Sequence, residues 1–223
     1  MGVDPTGAKD FYTALFGWEF RREGGRGYHL ILLGGEIVGG LGPSPMGPRF
    51  GSSWNVYLAA KDLDAAGERA ERHGARLLAR GVPAGEDGRL SLAVDPQGAP
   101  FGLWQGLREE GVVLVDEPGA LAGAVLHSPE PEDSAAFYGA VCGTDAGIGT
   151  DAGIGTDAGI GTDAGIEKGS PARWMPLLGV DDPLAFEARA RTAGATVLAP
   201  GVLCDPWGAV FGVVEAAVPR QRS

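Results

Sequence analysis

Cysteine, histidine and basic residues are all scarce in this chain of 223 residues, and each shortage removes a class of function. The two cysteines, Cys142 and Cys204, cannot build a disulfide framework, and neither belongs to a Cys-x-x-Cys pair, so zinc-ribbon and dithiol redox chemistry are excluded. The three histidines, His29, His73 and His127, are widely scattered and fall short of a coordination sphere. Lys plus Arg number 18 against 29 Asp plus Glu, a net charge of −11, so nucleic acid and anionic membrane surfaces are repelled rather than bound. No apolar run nears the roughly 20 residues that cross a bilayer. Met1-Gly2-Val3-Asp4-Pro5 offers neither a basic nor an apolar leader region, and the expected location is cytoplasmic. A Gly-x-Ser-x-Gly elbow is absent. The glycine clusters Gly24-Gly25-Arg26-Gly27 and Gly39-Gly40-Leu41-Gly42 lack the Lys and downstream helix of a phosphate loop.

What is present is a foldable composition, 44% hydrophobic and 21% charged, and an internal duplication. Asp4-Pro5 with Phe11-Tyr12 and Gly17 is answered by Glu130-Pro131 with Phe137-Tyr138 and Gly143. Trp54, Asp62 and Gly74-Ala75 are answered by Trp174, Asp182 and Gly194-Ala195. Asp95-Pro96-Gln97-Gly98-Ala99-Pro100-Phe101-Gly102 is answered by Asp205-Pro206-Trp207-Gly208-Ala209-Val210-Phe211-Gly212. The order is kept while the second copy shrinks, and the match to Leu90 to Val94 is absent before Asp205.

Each half splits again into two quarters of one plan. Asp4 as N-cap, Pro5 at the first helical position, apolar residues Ala8, Phe11, Tyr12, Leu15 and Phe16, and a stop at Gly17 describe a short amphipathic helix. Trp18 to Arg22, Tyr28 to Leu33 and Glu36 to Leu41 read as strands, the last two joined by a Gly34-Gly35 hairpin turn. Ser53 to Ala59 reads as a strand, Asp62 to His73 as a helix closed by Gly74, and Arg76 to Ala79, Leu90 to Val94 and Phe101 to Gln105 as three further strands. The quarter is β-α-β-β-β and the class α+β, with the first quarter lacking its opening strand.

Gly143 to Ile166 is four copies of Gly-Thr-Asp-Ala-Gly-Ile. The hexapeptide is similar to that of β-helices, but the copies make little more than one coil, which cannot bury a face. One Asp in each copy is too sparse for calcium. The expectation is an inserted flexible segment standing where the third quarter needs strands.

Asp4-Pro5…Phe11-Tyr12…Leu15-Phe16-Gly17-Trp18, Val38-Gly39-Gly40-Leu41, Trp54-Asn55-Val56-Tyr57-Leu58 and Asp95-Pro96-Gln97-Gly98-Ala99-Pro100-Phe101-Gly102 together resemble the vicinal oxygen chelate superfamily of glyoxalase, bleomycin-resistance and ring-cleaving dioxygenase proteins. The nearest likeness is to its tandem bacterial glyoxalase-like members, often labelled hydroxylases. The resemblance implies tandem βαβββ modules forming cupped mixed sheets with helices on the outer face. It implies two domains, 1–110 and 120–218, the second shortened and carrying the repeat insertion at 143–166. Active members hold a divalent metal by His, Glu or Gln on the first and last strands of paired modules. Those places fall here on Asn55, Gly123, Met175, Gly102 and Gly212, none a good ligand, so the metal is not carried over. His29, Glu36 and His127 are scattered substitutes.

An aromatic set remains. Trp54, Tyr57 and Trp104, with Trp174 in the second half and Asn55 as an orienting amide, are the candidate ligand-binding residues, suited to a flat, partly apolar small molecule. Side chains at an odd spacing, such as Trp54 and Tyr57, point to opposite faces of a strand, so one of the two belongs to the core. Three readings stay open: a binding module without catalytic metal, a metal-dependent lyase or dioxygenase with non-standard ligands, and a degenerate copy. A strand edge exposed by the losses would be an association hazard or a homodimer interface. Because the second half lacks strands, the first half is expected to carry most of the stability.

Overall fold

The structure, a computed structural model, describes residues 5–23, 27–43, 52–85, 87–107, 114–142 and 163–217. Four helices and thirteen strands occur among the described residues. The first quarter holds α1 (Pro5–Phe16), β1 (Glu19–Glu23), β2 (Tyr28–Leu33) and β3 (Glu36–Leu41). The second holds β4 (Tyr57–Ala59), α2 (Leu63–Arg72), β5 (Arg76–Ala84), β6 (Gly88–Val94) and β7 (Pro100–Gly106). The third holds β8 (Leu121–Ser128), α3 (Pro131–Cys142) and β9 (Asp163–Lys168). The fourth holds β10 (Arg173–Val180), α4 (Pro183–Thr192), β11 (Thr196–Ala199), β12 (Val202–Cys204) and β13 (Val210–Glu215). Helices and mixed sheets make the class α+β, as the sequence implies.

Local chemistry accounts for the element ends. The Asp62 carboxylate accepts from Ala65 N at 3.0 Å and starts α2, while Gly74, at φ 93°, ends it just after His73. In α4 the Asp182 carboxylate accepts from both Leu184 N and Ala185 N, with Pro183 in the first turn. Gly34 and Gly35 turn the β2–β3 hairpin with φ of 59° and 93°, a pair of left-handed residues that only glycine adopts without strain. Asp4, expected as the α1 cap, lies outside the described residues.

The duplication reappears as equal strand pairing. β4 runs parallel to β7 with Tyr57 opposite Gly102, and β10 runs parallel to β13 with Leu177 opposite Gly212. The remaining pairs in these quarters, β5–β6, β6–β7, β11–β12 and β12–β13, are antiparallel. The fourth quarter is therefore complete. Its shortening took residues from the hairpin arms, leaving β11 and β12 as short strands around Gly201 at φ 74°, and the strand expected to be missing is present as β12. The strand expected from Ser53 is likewise shorter, beginning at Tyr57. The end of the hexapeptide repeat, from Asp163, forms β9, which pairs parallel with β8. The earlier copies lie outside the described residues.

The chain condenses into two compact units, and they follow the quarters rather than the order of the chain. One gathers Met1–Trp54, Val113–Ala122 and Leu177–Ser223, so the first and fourth quarters share a core. There Phe11, Tyr12, Phe16 and Trp18 pack with Phe186 and Phe211, the Phe16 and Phe186 rings lying 4.8 Å apart. The other gathers Asn55–Val112 and Gly123–Pro176, with Phe101 packed between Phe137 and Tyr138. The packing joins each half of the duplication to part of the other. β8 and β10 are divided between the units.

Candidate functional site

Alternation along β4 and β7 sorts their side chains. Leu58 and Leu103, 0% and 1% exposed, turn inward, which leaves Tyr57 and Trp104 half-buried on the opposite face. Leu90 and Leu92 of β6 stand opposite Trp104 and Gly102 and join that face. Asn55 lies two residues before Tyr57, the first residue of the strand, and is half-buried. Two glycines give the rings their place. A Cβ added to Gly102 would fall inside the Tyr57 ring, so that ring lies across the β7 backbone. A Cβ on Gly88 would come within 2.8 Å of Trp104 Cζ2, so the indole reaches diagonally over β6. The result is an aromatic and aliphatic surface of two rings laid on a strand floor. In the fourth quarter Leu177 and Val214 hold the places of Tyr57 and Trp104, and no aromatic pair forms.

The other two candidate tryptophans are engaged elsewhere. Trp174, 4% exposed, donates from Nε1 to the Tyr138 hydroxyl at 2.8 Å, and that hydroxyl donates to Asp95 Oδ2 at 2.9 Å. Trp54 Nε1 donates to the Tyr12 hydroxyl at 3.2 Å, and Tyr12 donates to Asp205 Oδ2 at 2.9 Å. Each aspartate uses its other oxygen to accept two turn amides: Gln97 N and Ala99 N at Asp95, Trp207 N and Ala209 N at Asp205. Trp174 is thus an interior residue and Trp54 packs against the core of its unit. Of the aromatic set, only Tyr57 and Trp104 share an outward face. The Asp-Pro-x-Gly motifs, read as turn markers, also carry the carboxylates that anchor the helix tyrosines. Burial raises both tyrosines well above their ordinary pKa, with the partner aspartate's charge adding to it, so both stay protonated donors.

The metal places implied by the family resemblance carry an amide at Asn55, a thioether at Met175 and glycines at 102, 123 and 212. That donor set does not fit a divalent cation acting as a Lewis acid. No group of three or more His, Cys, Asp or Glu gathers among the described residues. Lys9 Nζ lies 2.6 Å from His29 Nε2 and can only donate, which makes Nε2 the acceptor and leaves Nδ1–H for the Gly27 carbonyl at 3.1 Å. Both His29 nitrogens are thereby engaged. Glu36 sits opposite Leu33, at the other end of the hairpin from His29 opposite Leu41. His73 caps α2, as its position before Gly74 implies.

Neither thiol is activated. Burial pushes Cys142 up to about 12, and burial with the Asp205 charge raises Cys204. His127 differs from the other histidines, because its Nε2 is buried without a hydrogen-bond partner.

No protein-family model matches the chain. CFP32 of Mycobacterium tuberculosis, which carries a provisional glyoxylase name, is 35% identical over 98% of this chain and 93% of its own. DnrV of Streptomyces peucetius, named an anthracycline biosynthesis protein, is 29% identical over 95% of this chain and 89% of its own. Among solved structures, the Mn(II)-bound glyoxalase from Novosphingobium aromaticivorans aligns with a TM-score of 0.63 at 20% identity, covering 95% of this chain and 78% of that one. An extradiol ring-cleaving dioxygenase from B. fuscum aligns with a TM-score of 0.61 at 12% identity, covering 96% of this chain and 69% of that one. At such identities the two structures share the fold.

Proposed function

The chain belongs to the vicinal oxygen chelate superfamily, and from that premise we propose that it binds a flat, partly apolar ring molecule on the Tyr57–Trp104 face without a catalytic metal. The observation that carries this reading is the pair of rings laid over Gly102 and Gly88. Aromatic side chains fixed flat on a strand offer a stacking surface whose ordering cost was met on folding, and ring stacking contributes about 0.5–1.5 kcal/mol beyond area burial. Asn55, which can both donate and accept, would orient a carbonyl or hydroxyl at the ring edge. The ill-fitting donor set at the family's metal places supports binding over Lewis-acid chemistry. The 29% identity to an anthracycline biosynthesis protein suggests a concrete representative of the ligand class, an anthracycline.

The test is a fluorescence titration with an anthracycline. Saturable quenching is expected, and Tyr57→Ala or Trp104→Ala should raise Kd at least about tenfold, equivalent to about 1.4 kcal/mol, with little change in the melting midpoint. Gly102→Val displaces the Tyr57 ring while keeping the residue, and should weaken binding as Tyr57→Ala does. Equal affinity in the variants would remove the face from the proposal. A melting midpoint raised by Mn(II) or Fe(II), with no response to the anthracycline, would favour the metal-dependent lyase or dioxygenase reading, since a ligand of the native state stabilises it by mass action.

A further inference from the structure

The chain has three lysines, Lys9, Lys61 and Lys168, in unlike surroundings. Lys61 and Lys168 are exposed. Lys9 is half-buried on α1, where its Nζ donates to His29 Nε2 of β2 at 2.6 Å. Ile31 belongs to the core with Ala8, Phe11 and Tyr12 of α1, so His29, two residues earlier on the strand, points to the same helix side of the sheet. The imidazole is fixed from behind, since its Nδ1–H donates to the Gly27 carbonyl at 3.1 Å. Arg22 of β1 is the direct partner of His29 in the antiparallel register, is exposed, and stands on that side as well. The ion pairs among the described residues join Arg80 to Glu71, Arg89 to Asp64 and Arg191 to Glu187, and none engages Lys9.

A nucleophile within hydrogen-bond reach of a base, with the base oriented by a third group, is the arrangement that activates weak side-chain nucleophiles. Lys9, His29 and the Gly27 carbonyl stand in that order. We propose that Lys9 is a site of acyl modification by a small acyl phosphate, with His29 as proton acceptor and Arg22 holding the phosphate. The ammonium first gives one proton to solvent, as any lysine must. The free electron pair of Nζ then attacks the carbonyl carbon, the C–N bond forms, and the C–O bond to phosphate breaks with its electron pair going to the leaving oxygen. A second proton passes from the nitrogen to His29 Nε2 and on to water, so the products are the Lys9 amide, inorganic phosphate and protons. Arg22 singles out acyl phosphates from other activated acyl groups, because its planar fork matches phosphate oxygens. A positioned general base contributes about a hundredfold or more in rate, whereas the first deprotonation is common to all three lysines and cancels between them. The site shares no residue with the Tyr57–Trp104 face, and either can fail without the other.

The experiment treats the full chain with acetyl phosphate at neutral pH and follows acetylation of the three lysines by peptide mass spectrometry. Lys9 is expected to react at least about tenfold faster than Lys61 and Lys168, the reverse of the order that exposure alone would set. His29→Gln, which keeps an acceptor but supplies no base, should bring Lys9 to the rate of the exposed pair or below it, with those two lysines as the control inside the same molecule. Added inorganic phosphate should slow Lys9 alone, a measurement that needs no variant. Arg22→Gln should raise the acetyl phosphate concentration for half-maximal rate several-fold and leave the maximal rate in place. Lys9 reacting no faster than Lys61 and Lys168, or keeping its advantage in His29→Gln, overturns the proposal. So does a half-maximal concentration that Arg22→Gln leaves unchanged.

Discussion

Each tyrosine hydroxyl of the two Trp-Tyr-Asp chains accepts from an indole and donates to a carboxylate, so removing it strands two partners at once. Tyr138→Phe is expected to cost about 1–3 kcal/mol for each group left unmet, and Tyr12→Phe somewhat less, because its Trp54 is only half-buried. Urea unfolding measures both, and a loss below half a kilocalorie would show that water replaces the hydroxyl. Asp95 adds a pH dependence. Burial raises its carboxyl above the ordinary 3.8 in spite of the amides of Gln97 and Ala99 and the hydroxyl of Tyr138. A folded-state pKa above the unfolded one means that the native chain holds more protons, so this contribution is complete below 3.8 and is lost as pH rises through the raised value. Asp95→Asn keeps an acceptor for the turn amides and should flatten the fall; an unaltered slope in urea midpoints above pH 3.8 would assign it to another group.

At the scale of the element, the sequence spoke most clearly where local chemistry decides. Asp62 was legible as the start of a helix, and the structure makes it and its repeat match Asp182 N-caps, because a carboxylate before a helix meets free N–H groups. Asp182→Ala, which frees two amides, should cost about 1 kcal/mol and more than Asp62→Ala, which frees one, in the same urea assay. The equal registers of β4–β7 and β10–β13 follow from the matching Asp-Pro-x-Gly-Ala turns. The extent of strands was less legible. β4 begins only at Tyr57, and β12 survives a deletion that looked fatal to it, because a hairpin can lose residues from both arms and close again around Gly201. Gly88 and Gly102 gave no sign in the sequence of what they do, since the rings that occupy their missing Cβ positions come from neighbouring strands.

In the whole molecule, the duplication suggested that the first half would hold most of the stability. The cores oppose this, for α1 packs with Phe186 and Phe211, and Phe101 packs with Phe137 and Tyr138. A chain cut to residues 1–110 loses these partners together with Asp205, and it is expected to show no cooperative urea transition. A single sharp transition in that fragment would restore the first half as an independent domain.

Composition, caps, glycine turns and the repeated motifs by themselves determined the class, the element order, the family and the poverty of metal ligands, because each depends on residue type and near neighbours. Which Trp faces outward and which Asp-Pro-x-Gly carboxylate holds which helix tyrosine were decided only by tertiary structure. Those outcomes depend on strand register and on packing between segments more than a hundred residues apart in the case of Tyr12 and Asp205, and no local pattern encodes that pairing.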